Sequence, residues 1–359
     1  MSRFISRRFD VLKAYVPGEQ PQDKKYVKLN TNESPYPPSP EVSARLNAAE
    51  AAKLKLYSDP DCRGVRERLA ALYGVKAENV LVTNGSDEAL NFAFMAYTDR
   101  GALFSDISYG FYPVFARLYG IDARILPLKE DFTIDPADYF NAGGAMVVIA
   151  NPNAPTGLAL PPSAIEEIVV HNPDSVVVID EAYVDFGGES VIPLTKKYDN
   201  LLVVQTFSKS RSLAGARLGY AIGDEALIAD LNKLRCSTNP YNVNRLTLAA
   251  GEAAIDSQSY YDENCKKIIA AREDTAAKLR AMGFTVTDSK ANFLFVRSDK
   301  IGGERLYQAL RRRGILVRHF DGARIREYNR ITVGSPEEME TLTAAIKEIL
   351  SEELSHENC

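Results

Sequence analysis

The sequence predicts an α/β chain with a mostly parallel central sheet in a large domain, a smaller α+β domain and an N-terminal arm. Three observations carry that prediction. Nearly continuous Val/Ile/Leu runs recur between residues 80 and 204, the pattern of strands buried on both faces of a sheet. Helix-length segments separate many of them, as crossovers between parallel strands require. A chain of 359 residues is long for one hydrophobic core, so two domains are expected.

In chain order, residues 15–40 are rich in Pro, Asn and Tyr and keep no sustained period. They read as an extended arm, assigned with the residues before them to 1–40. The large domain, 41–260, should hold strands at Val80–Thr83, Ala102–Ser105, Ala123–Leu126, Ala145–Ala150, Ser175–Ile179 and Leu201–Val204. Asn84-Gly85-Ser86-Asp87-Glu88 opens a helical pattern. From 261 the character changes. Asp262–Met282 reads as one amphipathic helix stopped by Gly283. Strands follow at Phe284–Thr287, Phe293–Val296, Ile315–Val317 and Ile331–Val333, and a helix at Pro336–Leu354 closes a small domain, 261–359.

Composition excludes several classes. A hydrophobic share of 45% with 25% charged residues suits a soluble globular chain. A net charge of −5 gives no sign of a nucleic-acid partner. The basic stretch Arg311-Arg312-Arg313 sits in an amphipathic segment and reads as a solvated helix face. No apolar run approaches membrane-spanning length, and none follows Arg3, Arg7 and Arg8, so neither a membrane partner nor a signal peptide is expected. Cys62, Cys236, Cys265 and Cys359 are scattered without a C-x-x-C pair, which fits a reducing cytoplasm. His171, His319 and His356 are isolated, so no metal site is expected. No G-x-S-x-G elbow, G-x-G-x-x-G fingerprint or G-K-[ST] loop is present.

Ligands of open α/β sheets sit beyond the carboxyl ends of the strands. The polar residues gather there: Gly85-Ser86-Asp87 after one run, Asn151-Pro152-Asn153 after another, Asp180 after a third and Lys209 after a fourth. Thr206 and Ser208 precede Lys209, and Arg217 lies eight residues beyond it. A lysine attacks carbonyls when its ammonium is desolvated or held near cations. Hydroxyls and a guanidinium fork suit phosphate oxygens. The cofactor that needs both an imine-forming lysine and a phosphate cup is pyridoxal phosphate. Asp180 would pair with its ring nitrogen, or would simply cap a helix. Tyr183 would donate to its phenolic oxygen. Gly85-Ser86-Asp87 would present amides to its phosphate at a helix start, or form an ordinary capped turn. Tyr109 would stack on its ring, or belong to the core.

These residues resemble those of fold type I, aspartate-aminotransferase-like pyridoxal phosphate enzymes along nearly the whole chain. Within that superfamily the chain is most similar to histidinol-phosphate aminotransferases. The match rests on Leu29-Asn30-Thr31-Asn32-Glu33, Asn151-Pro152-Asn153-Ala154-Pro155-Thr156-Gly157, Asp180-Glu181-Ala182-Tyr183, Ser208-Lys209 with Arg217, Gly314–Arg318 and Arg330-Ile331-Thr332-Val333-Gly334. The resemblance implies that Lys209 forms the covalent link and moves the proton, with Asp180 on the ring nitrogen and Tyr183 on the phenolic oxygen. Gly85, Ser86, Asp87, Thr206, Ser208 and Arg217 would surround the phosphate, and Tyr109 would stack on the ring. Tyr57 would reach the phosphate of a partner subunit in a homodimer with shared sites, and the arm would pack on the small domain and on that partner. Arg330, Arg318, Tyr15 and Asn32 would contact the small-molecule amino donor and keto acid, which for this group are histidinol phosphate and glutamate with their ketones. The sequence departs from the pattern at Ala154, where the family often has Asn; either Asn153 replaces it or Tyr183 holds the phenolic oxygen alone. Two rival activities share the fold, aromatic amino-acid transamination and decarboxylation of a phospho-amino acid.

Overall fold

The computed structural model describes residues 4–9 and 12–357. Val27–Lys28 (β1) lies in the segment read from sequence as an arm. A seven-stranded sheet follows, made of Val80–Thr83 (β2), Ala102–Ser105 (β3), Ala123–Leu126 (β4), Met146–Ala150 (β5), Val177–Asp180 (β6), Leu201–Thr206 (β7) and Gly219–Gly223 (β8). Its order is β2-β8-β7-β6-β5-β3-β4, and β8 alone runs against the rest.

The apolar runs are continuous because both faces are covered. In β6 and β7, Val177, Ile179, Leu201 and Val203 enter one core, while Val178, Leu202 and Val204 enter the other. Helices Arg63–Tyr73, Pro162–Val170 and Arg245–Asp256 supply the first core; Ser86–Ala96, Tyr112–Tyr119 and Glu225–Thr238 supply the second. This is the doubly covered sheet the sequence predicts. Strand β8 was not legible, because Gly-Tyr-Ala-Ile-Gly offers only three apolar residues between glycines.

A four-stranded antiparallel sheet lies in the C-terminal part: Phe284–Val286 (β9), Phe293–Ser298 (β10), Arg318–His319 (β12) and Asn329–Thr332 (β13), in the order β12-β13-β10-β9. Ile315–Leu316 (β11) leaves this sheet and pairs in parallel with β1, so the arm is hydrogen-bonded to the C-terminal part. Leu29 of the arm joins the core beneath. The amphipathic helix starts earlier than the pattern suggests, at Gln258, and ends at Ala281 before Gly283, which adopts φ +93°. The basic stretch closes the helix Gly303–Arg312. Arg311 pairs with Glu19 of the arm at 2.9 Å and Arg313 with Glu352 of the last helix at 2.5 Å, so two of the three arginines are tied to neighbouring elements.

Candidate active site

The ends of β2, β3, β5, β6 and β7 converge on one edge of the large sheet. Because β8 runs in reverse, its beginning, Gly219, pairs with Thr83 and Thr206 at that same edge. Arg217, two residues before Gly219, therefore arrives beside Lys209 and the β2 turn. Two adjoining cavities open here. The inner one, of about 140 Å³, is walled by Ser86, Asp87, Tyr109, Ala154, Asp180, Tyr183, Thr206, Ser208, Lys209 and Arg217 among others. The outer one, of about 470 Å³, shares Tyr109, Ala154, Tyr183, Lys209 and Arg217 and adds Tyr15, Asn32, Arg318 and Arg330.

Lys209 Nζ donates to the Thr31 carbonyl at 3.2 Å. Burial, reinforced by the nearby Arg330 cation, brings its ammonium down to about 8, against the pull of Glu33 and Asp87. Asp180 Oδ2 accepts from Tyr112 at 2.9 Å, and Oδ1 accepts from the Ala182 amide at 3.2 Å. Desolvation pushes this carboxyl up to about 6, with the Tyr112 bond opposing the rise. The site thus pairs an amine easily freed of its proton with a carboxylate costly to leave unpaired, an arrangement typical of functional clefts.

The anion end is built from backbone as much as from side chains. Gly85 turns at φ +77°, and the helix Ser86–Ala96 begins immediately after it. A Cβ at Gly85 would lie 2.6 Å from Arg217 Nη2, and one at Gly219 would lie 2.3 Å from the Ser86 nitrogen. Only glycine lets β8 back this closely onto the amides of the turn. Arg217 donates to Asp87 Oδ2 at 3.2 Å, and Tyr109 donates to Asp87 Oδ1 at 2.8 Å. The Thr206 hydroxyl lies 3.0 Å from that of Ser208.

In the outer cavity, Arg330 donates to the Asn30 carbonyl at 3.0 Å and stacks over Phe293 and Phe320; its Nε has no hydrogen-bond partner among the described residues. Arg318 donates to the Val16 and Pro17 carbonyls at 3.3 and 3.4 Å. Tyr15 packs against Phe111 at 4.6 Å. The two guanidinium groups line the outer cavity together with Lys209 and Arg217, so cationic groups from the large sheet and from the C-terminal part meet at one cavity.

Residues 24–346 match the family of class I and II aminotransferases. The chain belongs to that family. It is 50% identical over 351 residues to the histidinol-phosphate aminotransferase of Marinomonas sp. (strain MWYL1), covering 97% of this chain and 99% of that one. It is 49% identical over 353 residues to the enzyme of the same name from Brachyspira hyodysenteriae, covering 98% and 99%. The structure of histidinol-phosphate aminotransferase from Sinorhizobium meliloti in complex with pyridoxal-5'-phosphate aligns with a TM-score of 0.88 over 98% of this chain and 99% of that one; at 24% identity the likeness is one of fold.

The inner cavity of this aminotransferase fits the groups of pyridoxal phosphate. Lys209 suits the carbonyl, Asp180 the ring nitrogen, Tyr183 the phenolic oxygen and Tyr109 the ring face. The helix-start amides, Thr206, Ser208 and Arg217 suit the phosphate. The Asp87 carboxylate accepts from Arg217 and Tyr109, and the residue lines the inner cavity.

Besides Gly85, which shapes the turn but lines neither cavity, two expected residues are not brought to the cavities of this chain. Asn153 is one and needs correcting. Its Oδ1 accepts from Ser108 at 2.8 Å, its Nδ2 donates to the Ile107 carbonyl at 2.9 Å and to Thr156 at 3.1 Å, and it lines neither cavity. It ties the loop after β5 to the loop after β3 and does not replace the missing side chain at Ala154. Tyr57 is the other: it is 78% exposed and stacks on Tyr241 at 4.5 Å. Sequence reading also missed Tyr112. A fully buried tyrosine must find a partner for its hydroxyl, and an acid at the end of a neighbouring strand was the available one.

Proposed function

We propose that this aminotransferase exchanges an amino group between glutamate and imidazole-acetol phosphate, giving 2-oxoglutarate and histidinol phosphate. The observation that carries the reading is the pair of anion-binding ends around Lys209: one at the Ser86 helix start with Arg217, one at Arg318 and Arg330. The first suits the phosphate of the cofactor. The second suits, by turns, the substrate phosphate and the carboxylate of glutamate, since one fork binds both. The names of the relatives at 49–50% identity agree with it.

Pyridoxal phosphate, when bound, supplies an electron sink for the pair left by the broken Cα–H bond. Asp180 holds a proton at the ring nitrogen, which keeps that sink effective. Lys209 Nζ takes the proton from the substrate Cα and returns it at the carbonyl-derived carbon, C4′. Its lowered basicity places a free amine within reach of neutral pH. Arg330 and Arg318 hold the substrate so that its Cα–H faces Lys209.

The reading includes an assembly. Tyr57 completes the phosphate site of a second copy, and the exposed Leu54, Leu56, Tyr57 and Tyr241 form the apolar surface that would be covered. We assign the arm to 1–40, the cofactor domain to 41–260 and the small domain to 261–359, and place the enzyme in the cytoplasm. Among the described residues no helix is long and apolar enough to cross a membrane. Sedimentation of a fully active monomer would refute the shared site.

Steady-state assays with 2-oxoglutarate test the substrate. Histidinol phosphate should exceed phenylalanine in kcat/KM by roughly 100-fold or more, because phenylalanine leaves charge-assisted bonds to the substrate phosphate unmade. Equal use of the two would overturn the assignment, and release of CO₂ from a phospho-amino acid without 2-oxoglutarate would favour a decarboxylase.

A further inference from the structure

We propose that Asn32 is a positioning residue for the Tyr183 hydroxyl and compensates for the donor absent at Ala154; this rests on the reading that the inner cavity holds pyridoxal phosphate. Ala154 walls both cavities and brings no polar side-chain atom, while the amide of Asn153 is engaged elsewhere. Tyr183 is then the side chain left to face the phenolic oxygen, and its strength as a donor depends on what its own oxygen accepts.

Asn32 sits in the arm, 1% exposed, at φ +56°. Asparagine tolerates this left-handed backbone better than most residues. The direction of every bond around it follows from its partners. The Asn32 backbone N–H donates to Thr332 Oγ1 at 2.9 Å. The one hydroxyl hydrogen of Thr332 then goes to Asn32 Oδ1, at 3.0 Å. That fixes which end of the amide is which and turns Nδ2 to the Tyr183 oxygen, at 2.9 Å. Asn292 Nδ2 holds the Asn32 carbonyl at 3.0 Å, and Phe293 meets the Tyr183 ring edge-on at 5.0 Å, so neither partner is free to swing.

With a lone pair of Tyr183 accepting from Asn32, the phenol hydrogen is left for another acceptor, and Tyr183 is a wall of the inner cavity. A hydroxyl that accepts a hydrogen bond also donates a stronger one. Both effects favour negative charge on the phenolic oxygen opposite. Asn32, read from sequence as a substrate contact, thus acts one step behind the cofactor.

The test is a pH titration of the visible absorption of the holoenzyme. Losing Asn32 leaves the phenolic oxygen more basic, so it retains the shared proton and the midpoint of the Lys209-linked band moves to higher pH. Asn32→Gly is the variant of choice, since glycine accepts φ +56° without strain. Its midpoint should rise by about half a pH unit. Tyr183→Phe should raise it further, and Asn32→Gly should add nothing in that background. Asn32→Gly combined with Ala154→Asn should move the midpoint back toward wild type. A merely structural role would lower the melting temperature and leave the midpoint in place, which would overturn the proposal, as would additive shifts of Asn32→Gly and Tyr183→Phe. If Asn32→Gly fails to fold, Thr332→Val, which removes the hydroxyl orienting the amide, should give a smaller shift of the same sign, and no shift would count against the proposal. A visible band that is absent, or that survives Lys209→Ala, would instead defeat the cofactor reading and this inference with it.

Discussion

The lowered basicity of Lys209 sets how the cofactor-free protein captures an aldehyde at each pH. Burial and the Arg330 cation bring the amine from 10.5 to about 8. At pH 7 about a tenth of such amines are free to attack, against about 3 in 10,000 for an ordinary lysine, an advantage of about 300-fold. The observed rate of pyridoxal phosphate capture, followed by stopped-flow absorbance, should therefore climb about tenfold per pH unit below 7.5 and level off above about 8. Arg330→Gln removes the second cause of the shift and should move this plateau to higher pH. The same desolvation appears in stability. The unfolded lysine keeps its proton up to about 10.5 while the folded one releases it near 8, so the cofactor-free fold carries its full penalty below pH 8 and sheds it as pH rises from 8 toward 10.5. The gap corresponds to about 3 kcal/mol at most, which Lys209→Met should abolish in urea unfolding at fixed pH. A capture rate still climbing tenfold per unit through pH 9 would refute a desolvated amine.

Four further outcomes follow from the same geometry. Asp180→Asn should bind the cofactor and lose roughly 100–1,000-fold or more in kcat, and near-normal turnover would remove Asp180 from its role. Tyr112→Phe deletes a donor that holds Asp180 down, so the acid limb of the pH–rate profile should move up by about one pH unit; an unchanged limb would show that this bond does not tune Asp180. Arg330→Lys keeps the charge and loses the fork, so KM should rise for both glutamate and histidinol phosphate, and a change in neither would exclude Arg330 from binding. Gly219→Ala places a Cβ 2.3 Å from the Ser86 nitrogen and should destabilise the fold by roughly 1–3 kcal/mol while weakening cofactor binding; calorimetry and equilibrium dialysis read the two effects.

The strands of the large sheet other than β8, the doubly covered sheet and the placement of Lys209, Asp180 and Ser86 at strand ends were legible in the residues themselves. A strand apolar on both faces announces itself as a run, and the residue that ends the run sits at the sheet edge where ligands bind. The order of the strands was not legible, because pairing partners are set by long-range packing and not by local pattern. The reversed β8 hid between two glycines, and only its direction explains why Arg217 reaches the anion turn and why position 219 must lack a side chain.

The same division holds at the level of single side chains. Sequence alone determined which chemical groups were available: a lysine to hold a carbonyl, an acid for a ring nitrogen, a planar fork for phosphate, and an alanine where a donor was expected. The tertiary structure decided which groups face one another. It turned the Asn153 amide into its own loops, set Tyr112 against Asp180 and brought Asn32 from the arm to Tyr183, 151 positions away. Such pairings depend on burial, since a polar group removed from water must take whatever partner the packed core presents, and that partner is chosen by the fold, not by its neighbours in the chain.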